Sequence, residues 1–440
     1  MTNLSTDLRK TLTKRMERCL WGCVGVAGML SGFSSCSSEA APGGEIEERP
    51  VPNKRVDIEL SARTRAVADN LRDYYVGFTT DAVRYVDTHP EEEKNPNVIV
   101  SPLSASILLG MVANGVEEEA METICRYLGT DDLDGLNTLA AQLLTELPAV
   151  DNETKLSLAN AIWVNDKLRL SSAFTSAMAA TYDLAIEYGD FVNNGAGVKD
   201  DIFKWCEKET NGLIRQLDLE IHPETMAVLL NAMYFKGMWN RNPFDSKNTR
   251  KADFHGAGGT KSVDMMDSGE IKAEYGWTKG FTVFRLYFGN GAYSYTVLLP
   301  GEGMTLERSL SALTPEVMKE IETMSPGTVI LQMPKMKVER ELSLSDVFEG
   351  TDMEVLNRSA HFTMFEPKQP GVMTIKQSAM FSVDETGAEG AAVTFDDIFG
   401  SAGPDYKPTV QTITVDRPFF FFINEVSTGA CILSGRVAEV

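Results

Sequence analysis

Positive charge is scarce in this chain of 440 residues: 41 Lys and Arg stand against 63 Asp and Glu, a formal net charge of −22. Binding nucleic acid takes an excess of cations to replace the phosphate counterions, so this balance argues against it. An acidic surface serves solubility and favours encounter with basic partners. Histidine is scarcer still. His89, His222, His255 and His361 fall in no H-E-x-x-H or other metal-ligand spacing, and the chain has neither a G-x-S-x-G elbow nor a Walker-type loop. Neither an enzyme nor a metal or other cofactor is expected. Cysteine adds little: Cys19, Cys23 and Cys36 lie near the amino terminus, leaving Cys125, Cys206 and Cys431 widely spaced in the body. Such spacing makes no disulfide framework and no zinc site, so buried free thiols are expected. The apolar stretch Cys19–Phe33 is shorter than the ~20 residues of a membrane-spanning helix.

That stretch reads instead as part of a targeting signal, with Arg9, Lys10, Lys14, Arg15 and Arg18 ahead of it. Its end, Leu30-Ser-Gly-Phe-Ser-Ser-Cys36, resembles a bacterial lipoprotein processing site, with Cys36 as the lipidated residue. Phe33 and Ser35 depart from the usual Leu and Gly or Ala, and Met16 is an alternative start to Met1. The expectation is an exported cell-envelope lipoprotein, on the outer membrane or cell surface, held to the membrane by the lipid alone; plain secretion is the alternative. Residues 37–55, rich in Pro, Gly and Glu, are expected to form a flexible tether to a domain over residues 56–440.

Within the domain, Val67, Leu71, Tyr74, Tyr75 and Phe78 have the spacing of one helix face over Leu60–Val86. Asn97–Val100 reads as a short buried strand, followed by Pro102 in a first helical turn with Ser101 and Ser104 beside it. Leu156–Val164, Met226–Asn242, Tyr295–Pro300 and Val329–Val338 read as strand regions, and Gly212 suits a left-handed helix exit. Asn231 stands alone among apolar neighbours and must find a partner. Met373–Val383 alternates apolar and polar residues, and Arg417–Ile423 is too apolar to be anything but core.

Between these last two lies Glu385-Thr-Gly-Ala-Glu-Gly-Ala-Ala-Val-Thr-Phe395. It has Gly, Ala and Thr where a buried strand would carry Val or Ile. Sorted by period two, Ala388, Gly390, Ala392 and Thr394 fall on one face, and Glu389, Ala391, Val393 and Phe395 on the other. A face of small side chains lets a segment slide between two existing strands. Asp396 to about Lys407, with Gly400, Gly403 and Pro404, reads as an exposed loop.

These stretches together resemble the serpin family. The hinge E-x-G-[small]-E-[small]-[small]-x-x-T matches Glu385–Thr394, and D-R-P-F-x-F-F-I matches Asp416–Ile423. L-x-N-A-x-x-F-K-G-x-W matches Leu229–Trp239 and the P-F that follows it Pro243–Phe244, and N-[apolar]-x-x-S-P-x-S matches Asn97–Ser104. The resemblance implies an α+β fold of three β-sheets and about nine helices, with an exposed reactive-centre loop over about residues 385–411. It implies a suicide-substrate inhibitor of serine, and possibly cysteine, endopeptidases, monomeric and binding its target covalently; a non-inhibitory binding or structural protein is the alternative. It makes Glu385, Gly387, Ala388, Glu389, Gly390, Ala391, Ala392 and Thr394 the hinge, and Ser101, Ser104, Asn231 and Gln377 the shutter beneath the sheet. Most serpins carry a bridging His where Gln377 stands; an amide can both donate and accept, but it does not titrate. Counting from Glu385 places the reactive bond at Ser401–Ala402, with Phe399–Gly400 and Tyr406 as alternatives in a loop longer than usual. Asp396 occupies an inward position where the family has an apolar side chain.

Overall fold

A computed structural model describes residues 50–89, 94–212, 219–358, 361–370, 373–386 and 410–440. The Ala62–Thr88 helix starts where Ser61 accepts the Thr64 N–H, and it buries Val67, Leu71, Tyr74, Tyr75 and Phe78, the face its spacing predicts. Ser101 caps the Pro102–Ala113 helix in the same way, with Pro102 in the first turn, where its missing N–H leaves no bond unmade. The Gly195–Glu209 helix ends just before Gly212, which holds φ +78.

In chain order the strands are β1 (Val98–Val100), β2 (Thr154–Asn165), β3 (Ala185–Gly189), β4 (Ala227–Gly237), β5 (Arg250–Gly256), β6 (Gly259–Thr278), β7 (Phe281–Phe288) and β8 (Tyr293–Pro300). They continue as β9 (Ser325–Pro334), β10 (Met336–Ser343), β11 (His361–Phe362), β12 (Gln369–Pro370), β13 (Met373–Val383), β14 (Gln411–Thr414), β15 (Phe419–Glu425) and β16 (Cys431–Val437). The expected mixture of sheets and helices is present. One sheet is nine-stranded, ordered β1-β16-β15-β8-β7-β6-β9-β14 with β5 on β6. A second is five-stranded, β10-β13-β4-β2-β3, and β11 and β12 form a two-stranded ribbon. The Val329–Val338 stretch is two strands, not one: the chain leaves the nine-stranded sheet at Pro334 and enters the five-stranded sheet at Met336, with Lys335 between them.

The five-stranded sheet is covered on both faces. Ala227, Leu229, Met233 and Phe235 of β4 join the main core, while Val228 and Leu230 pack with Val198, Ile202 and Cys206 of the Gly195–Glu209 helix. Burial on both sides explains why β4 reads as a continuous apolar run without alternation. Cys125, Cys206 and Cys431 are free and buried, as expected. Burial pushes the Cys206 thiol up to about 12, so it carries no thiolate at neutral pH.

Candidate functional site

The five-stranded sheet has a fork at its centre. β10 and β13 pair antiparallel along eight residues, Met336↔Val383 to Ser343↔Lys376, and β2 and β4 pair antiparallel from Thr154↔Gly237 to Val164↔Ala227. Between these two ribbons, β13 and β4 pair in parallel over only four residues, Met373↔Ala227 to Lys376↔Leu230. Beyond Lys376 and Leu230 the strands separate. A strand running opposite to both would replace this one parallel contact by two antiparallel ones, the more favourable arrangement per residue.

The open end of the fork is a cleft of about 500 Å³, with Tyr234, Lys236 and Trp239 on one side and Met380, Phe381 and Val383 on the other. Its base is aromatic. Trp239 stacks on Phe288 with ring centroids 4.6 Å apart, and Phe381 stacks on Phe421 at 5.4 Å. Such rings hold a rigid, well-packed surface under whatever enters.

At the closed end lie the four residues assigned to the shutter, all buried. Gln377 accepts the Ser101 N–H at 2.8 Å through Oε1 and donates to the Ser101 carbonyl at 2.9 Å through Nε2. Ser101 Oγ donates to Ser104 Oγ at 2.8 Å and accepts the Ser104 N–H at 3.2 Å. Ser101, Ser104 and Gln377 are therefore brought together, and the amide of Gln377 ties β13 to the start of the helix beneath it. Asn231 finds its partner elsewhere: its Nδ2 donates to Asn160 Oδ1 on β2 at 2.8 Å. Asn160 in turn donates to the Tyr182 carbonyl at 3.0 Å. The side-chain oxygen of Asn231, Oδ1, one step past the last β4–β13 pair, has no hydrogen-bond partner among the described residues.

At the mouth, β13 ends at Val383 and the next two residues are held by side chains. Trp239 Nε1 donates to the Asp384 carbonyl at 2.8 Å. Glu385, 6% exposed, takes Lys335 Nζ at 2.6 Å on one oxygen and Thr249 Oγ1 at 2.5 Å on the other. Burial alone would raise its carboxyl, but the bonds from Lys335 and Thr249 outweigh that and hold it below the ordinary carboxylate range. The bond to Glu385 raises the Lys335 ammonium in turn. Three elements thus meet at one residue: the β9–β10 junction through Lys335, the start of β5 through Thr249, and the end of β13.

Glu385 is the one assigned hinge residue whose surroundings are described. Gly387, Ala388, Glu389, Gly390, Ala391, Ala392 and Thr394 lie outside the described residues, as do Asp396, the reactive-bond candidates Phe399, Gly400, Ser401, Ala402 and Tyr406, and Cys36. The chain is described again from Val410 and enters β14, parallel to β9 with Gln411 opposite Val329. Sequence reasoning missed Lys335, Thr249, Trp239 and Asn160 as members of the site. Trp239 stands in a stretch that matches a family motif, and Asn160 and Lys335 in stretches read as strand, but nothing in a linear pattern announces a bond such as Lys335 to Glu385.

A profile described as Serpin (serine protease inhibitor) matches residues 78–440. The chain belongs to the serpin family. Among its relatives, Iripin-5 of Ixodes ricinus is 29% identical over 375 residues, covering 82% of this chain and 92% of that protein. Antithrombin-III of Homo sapiens is 28% identical over 365 residues, covering 78% and 77%. Solved serpins share the fold. Tengpin, a thermophilic serpin in its native state, superposes with a TM-score of 0.73 at 24% identity, covering 88% of this chain and 97% of its own. Arabidopsis AtSerpin1 in its native stressed conformation gives 0.75 at 24%, covering 86% and 99%. Human thyroxine-binding globulin, solved in complex with thyroxine, gives 0.73 at 22%, covering 86% and 99%. The fold is thus shared with a thyroxine-binding globulin as well as with proteins named as serpins, so the fold alone does not give the function and the site must decide it.

Proposed function

We propose that this serpin is a suicide-substrate inhibitor of serine endopeptidases, and of cysteine endopeptidases by the same route. The observation that carries the reading is the fork: a parallel β4–β13 contact closed at one end, open over an aromatic base at the other, with Glu385 held at its mouth. The protease attacks the loop, with Ser401–Ala402 as the reactive bond and Phe399–Gly400 or Tyr406 as alternatives. Its nucleophile becomes acylated by the new carboxy-terminal residue, and the amine beyond the bond leaves. The freed hinge then enters the cleft as a strand antiparallel to β4 and β13. Its inward side chains, Ala388, Gly390, Ala392 and Thr394, are small enough to lie over the rings. Fourteen residues at ~3.3 Å each carry the attached protease about 45 Å along the sheet, and deacylation stalls as the protease is pulled against the serpin body.

Asp396 is the next inward residue, and burying it unpaired costs about 1–3 kcal/mol. Pairing along a whole strand outweighs that, so Asp396 slows insertion without preventing it. The protein acts as a monomer, on proteases that reach the cell envelope, and is held there by a lipid on Cys36.

Incubating the protein with pancreatic elastase, chymotrypsin, trypsin and a papain-like enzyme tests the reading. A denaturant-stable band at the summed mass, with a released carboxy-terminal peptide whose mass identifies the cut bond, is the expected result. Clean cleavage with every enzyme, no such band and no loss of protease activity would point instead to a non-inhibitory binding protein.

A further inference from the structure

An amide cluster at the hinge end of the five-stranded sheet has no part in the account above. Asn53 and Asn152 pair reciprocally: the Asn53 N–H donates to Asn152 Oδ1 at 3.0 Å, and the Asn152 N–H donates to Asn53 Oδ1 at 3.1 Å. Asn53 Nδ2 adds a bond to the Val150 carbonyl at 3.2 Å, and Asn152 Nδ2 one to the Val51 carbonyl at 2.8 Å. Asn290, in the turn between β7 and β8, donates to both Asn53 Oδ1 at 3.0 Å and the Val150 carbonyl at 2.8 Å. Arg55 Nη1 donates to the Gly291 carbonyl of the same turn at 2.9 Å. Within the stretch whose composition reads as tether, Val51, Asn53 and Arg55 are thus each bonded to the domain.

The segments joined here belong to different sheets. Residues 150–153 lead into β2, which starts at Thr154 opposite Gly237 of β4, whereas residues 289–292 belong to the nine-stranded sheet. Their contact is tight by construction: a Cβ on Gly289, at φ +45, would fall 1.9 Å from Asp151 Oδ2, so only glycine fits. For a strand to enter the fork, β4 with its partners β2 and β3 must separate from β13 and β10 by about one strand spacing, ~4.8 Å. Because β2 and β4 pair along their length, they move as one body when the four β4–β13 pairs part, and the bonds from Asn53 and Asn290 resist that movement at the start of β2. Asn240, which donates to the Gly289 carbonyl at 2.6 Å, ties the chain just past β4 to the β7–β8 turn. Bonds of this kind stabilise the closed sheet and are lost as it opens.

We propose that Asn53, with Asn152 and Asn290, is a positioning element that sets the rate of strand insertion by strapping the start of β2 to the nine-stranded sheet. The proposal rests on the insertion reading of the fork. Its test measures uptake of a synthetic peptide of the sequence Gly387–Phe395 by the intact protein, together with thermal midpoints of the intact and loop-cleaved forms, for wild type, Asn53→Ala and Asn290→Ala. Wild type should take up the peptide slowly and each variant about three- to tenfold faster, up to the factor that ~1.4 kcal/mol represents. The intact midpoint should fall while that of the cleaved form holds. Uptake by wild type with unchanged rates in both variants overturns the strap and leaves insertion standing; so does an equal fall of both midpoints at an unchanged rate, which marks a merely structural contact. If wild type takes up no peptide, insertion itself fails and the strap with it. Asn290→Ala leaves residues 51–55 intact, so a folding defect peculiar to Asn53→Ala does not decide the result.

Discussion

Replacing Glu385 by Gln removes one charge from the mouth of the cleft and keeps the shape. The carboxylate side chain is 7% exposed and bonded to Lys335, whose own side chain is 39% exposed. Breaking a fully buried ion pair costs ~3–5 kcal/mol, and an exposed one contributes ~0–1 kcal/mol. Water reaches Lys335, and Gln can keep the bond to Thr249, so the loss belongs between those limits, at about 1–2 kcal/mol. For a chain of this size that is a fall of about 1–3 °C in the midpoint of the intact protein. The pH dependence gives the sharper test. Because the Glu385 carboxyl lies below its ordinary value of 4.5, its stabilisation is complete above that value and is lost as pH falls through the folded one. Lys335 lies above its ordinary 10.5, so its share is complete below that and is lost as pH rises through the folded value. The difference between wild type and Glu385→Gln should therefore be constant across neutral pH and close in acid. Midpoints at a fixed scan rate, from about pH 7 to about pH 3, measure it. A difference that persists undiminished in acid, or none at neutral pH, would refute the assignment of the stabilisation to the ion pair.

Three further changes probe other parts of the site. Gln377→Leu strands the N–H of buried Ser101 and takes one of two bonds from its carbonyl, which keeps the Ala105 N–H; it should destabilise the intact protein by about 1–3 kcal/mol, read from the shift in its unfolding midpoint. Trp239→Phe keeps a ring over Phe288 but loses the bond to the Asp384 carbonyl; amide exchange at Glu385 and Thr386 should quicken, and unchanged protection would show that the indole does not hold the hinge. Ala388→Arg puts a long charged side chain on the inward face of the hinge and should turn inhibitor into substrate, with cleavage replacing the covalent band on a denaturing gel; retained trapping would sink the strand-insertion argument.

Much of this fold is legible in the sequence because its elements carry strong local signals. The alternation of Met373–Val383 gives β13 to the residue, and the Ser101-Pro102 pair marks the helix start that the structure shows. The division of Val329–Val338 between two sheets is not legible, because both halves are apolar and the change of sheet at Lys335 is a tertiary event. The site divides along the same line. Motifs point to Ser101, Ser104, Gln377 and Asn231, and the first three do meet, but Asn231 turns to Asn160 on the neighbouring strand. The fork itself has no sequence signature, since it depends on where pairing between β4 and β13 stops. Residues 51–55 show the limit of composition: Pro and polar side chains suggest a tether, yet Asn53 and Arg55 have specific partners about a hundred and more than two hundred residues away.

The central claim is that the open fork takes the cleaved loop as a strand, and the most direct measurement is the heat resistance of the protein before and after a single cut in the loop. A non-target protease at low dose makes the cut, mass spectrometry locates it between Glu385 and Val410, and the thermal midpoints of the intact and cleaved forms are compared. Filling the fork adds a full set of antiparallel backbone bonds and completes the sheet, so the cleaved form should unfold well above the intact one. A cleaved form that unfolds at the same temperature as the intact protein, or lower, would contradict insertion.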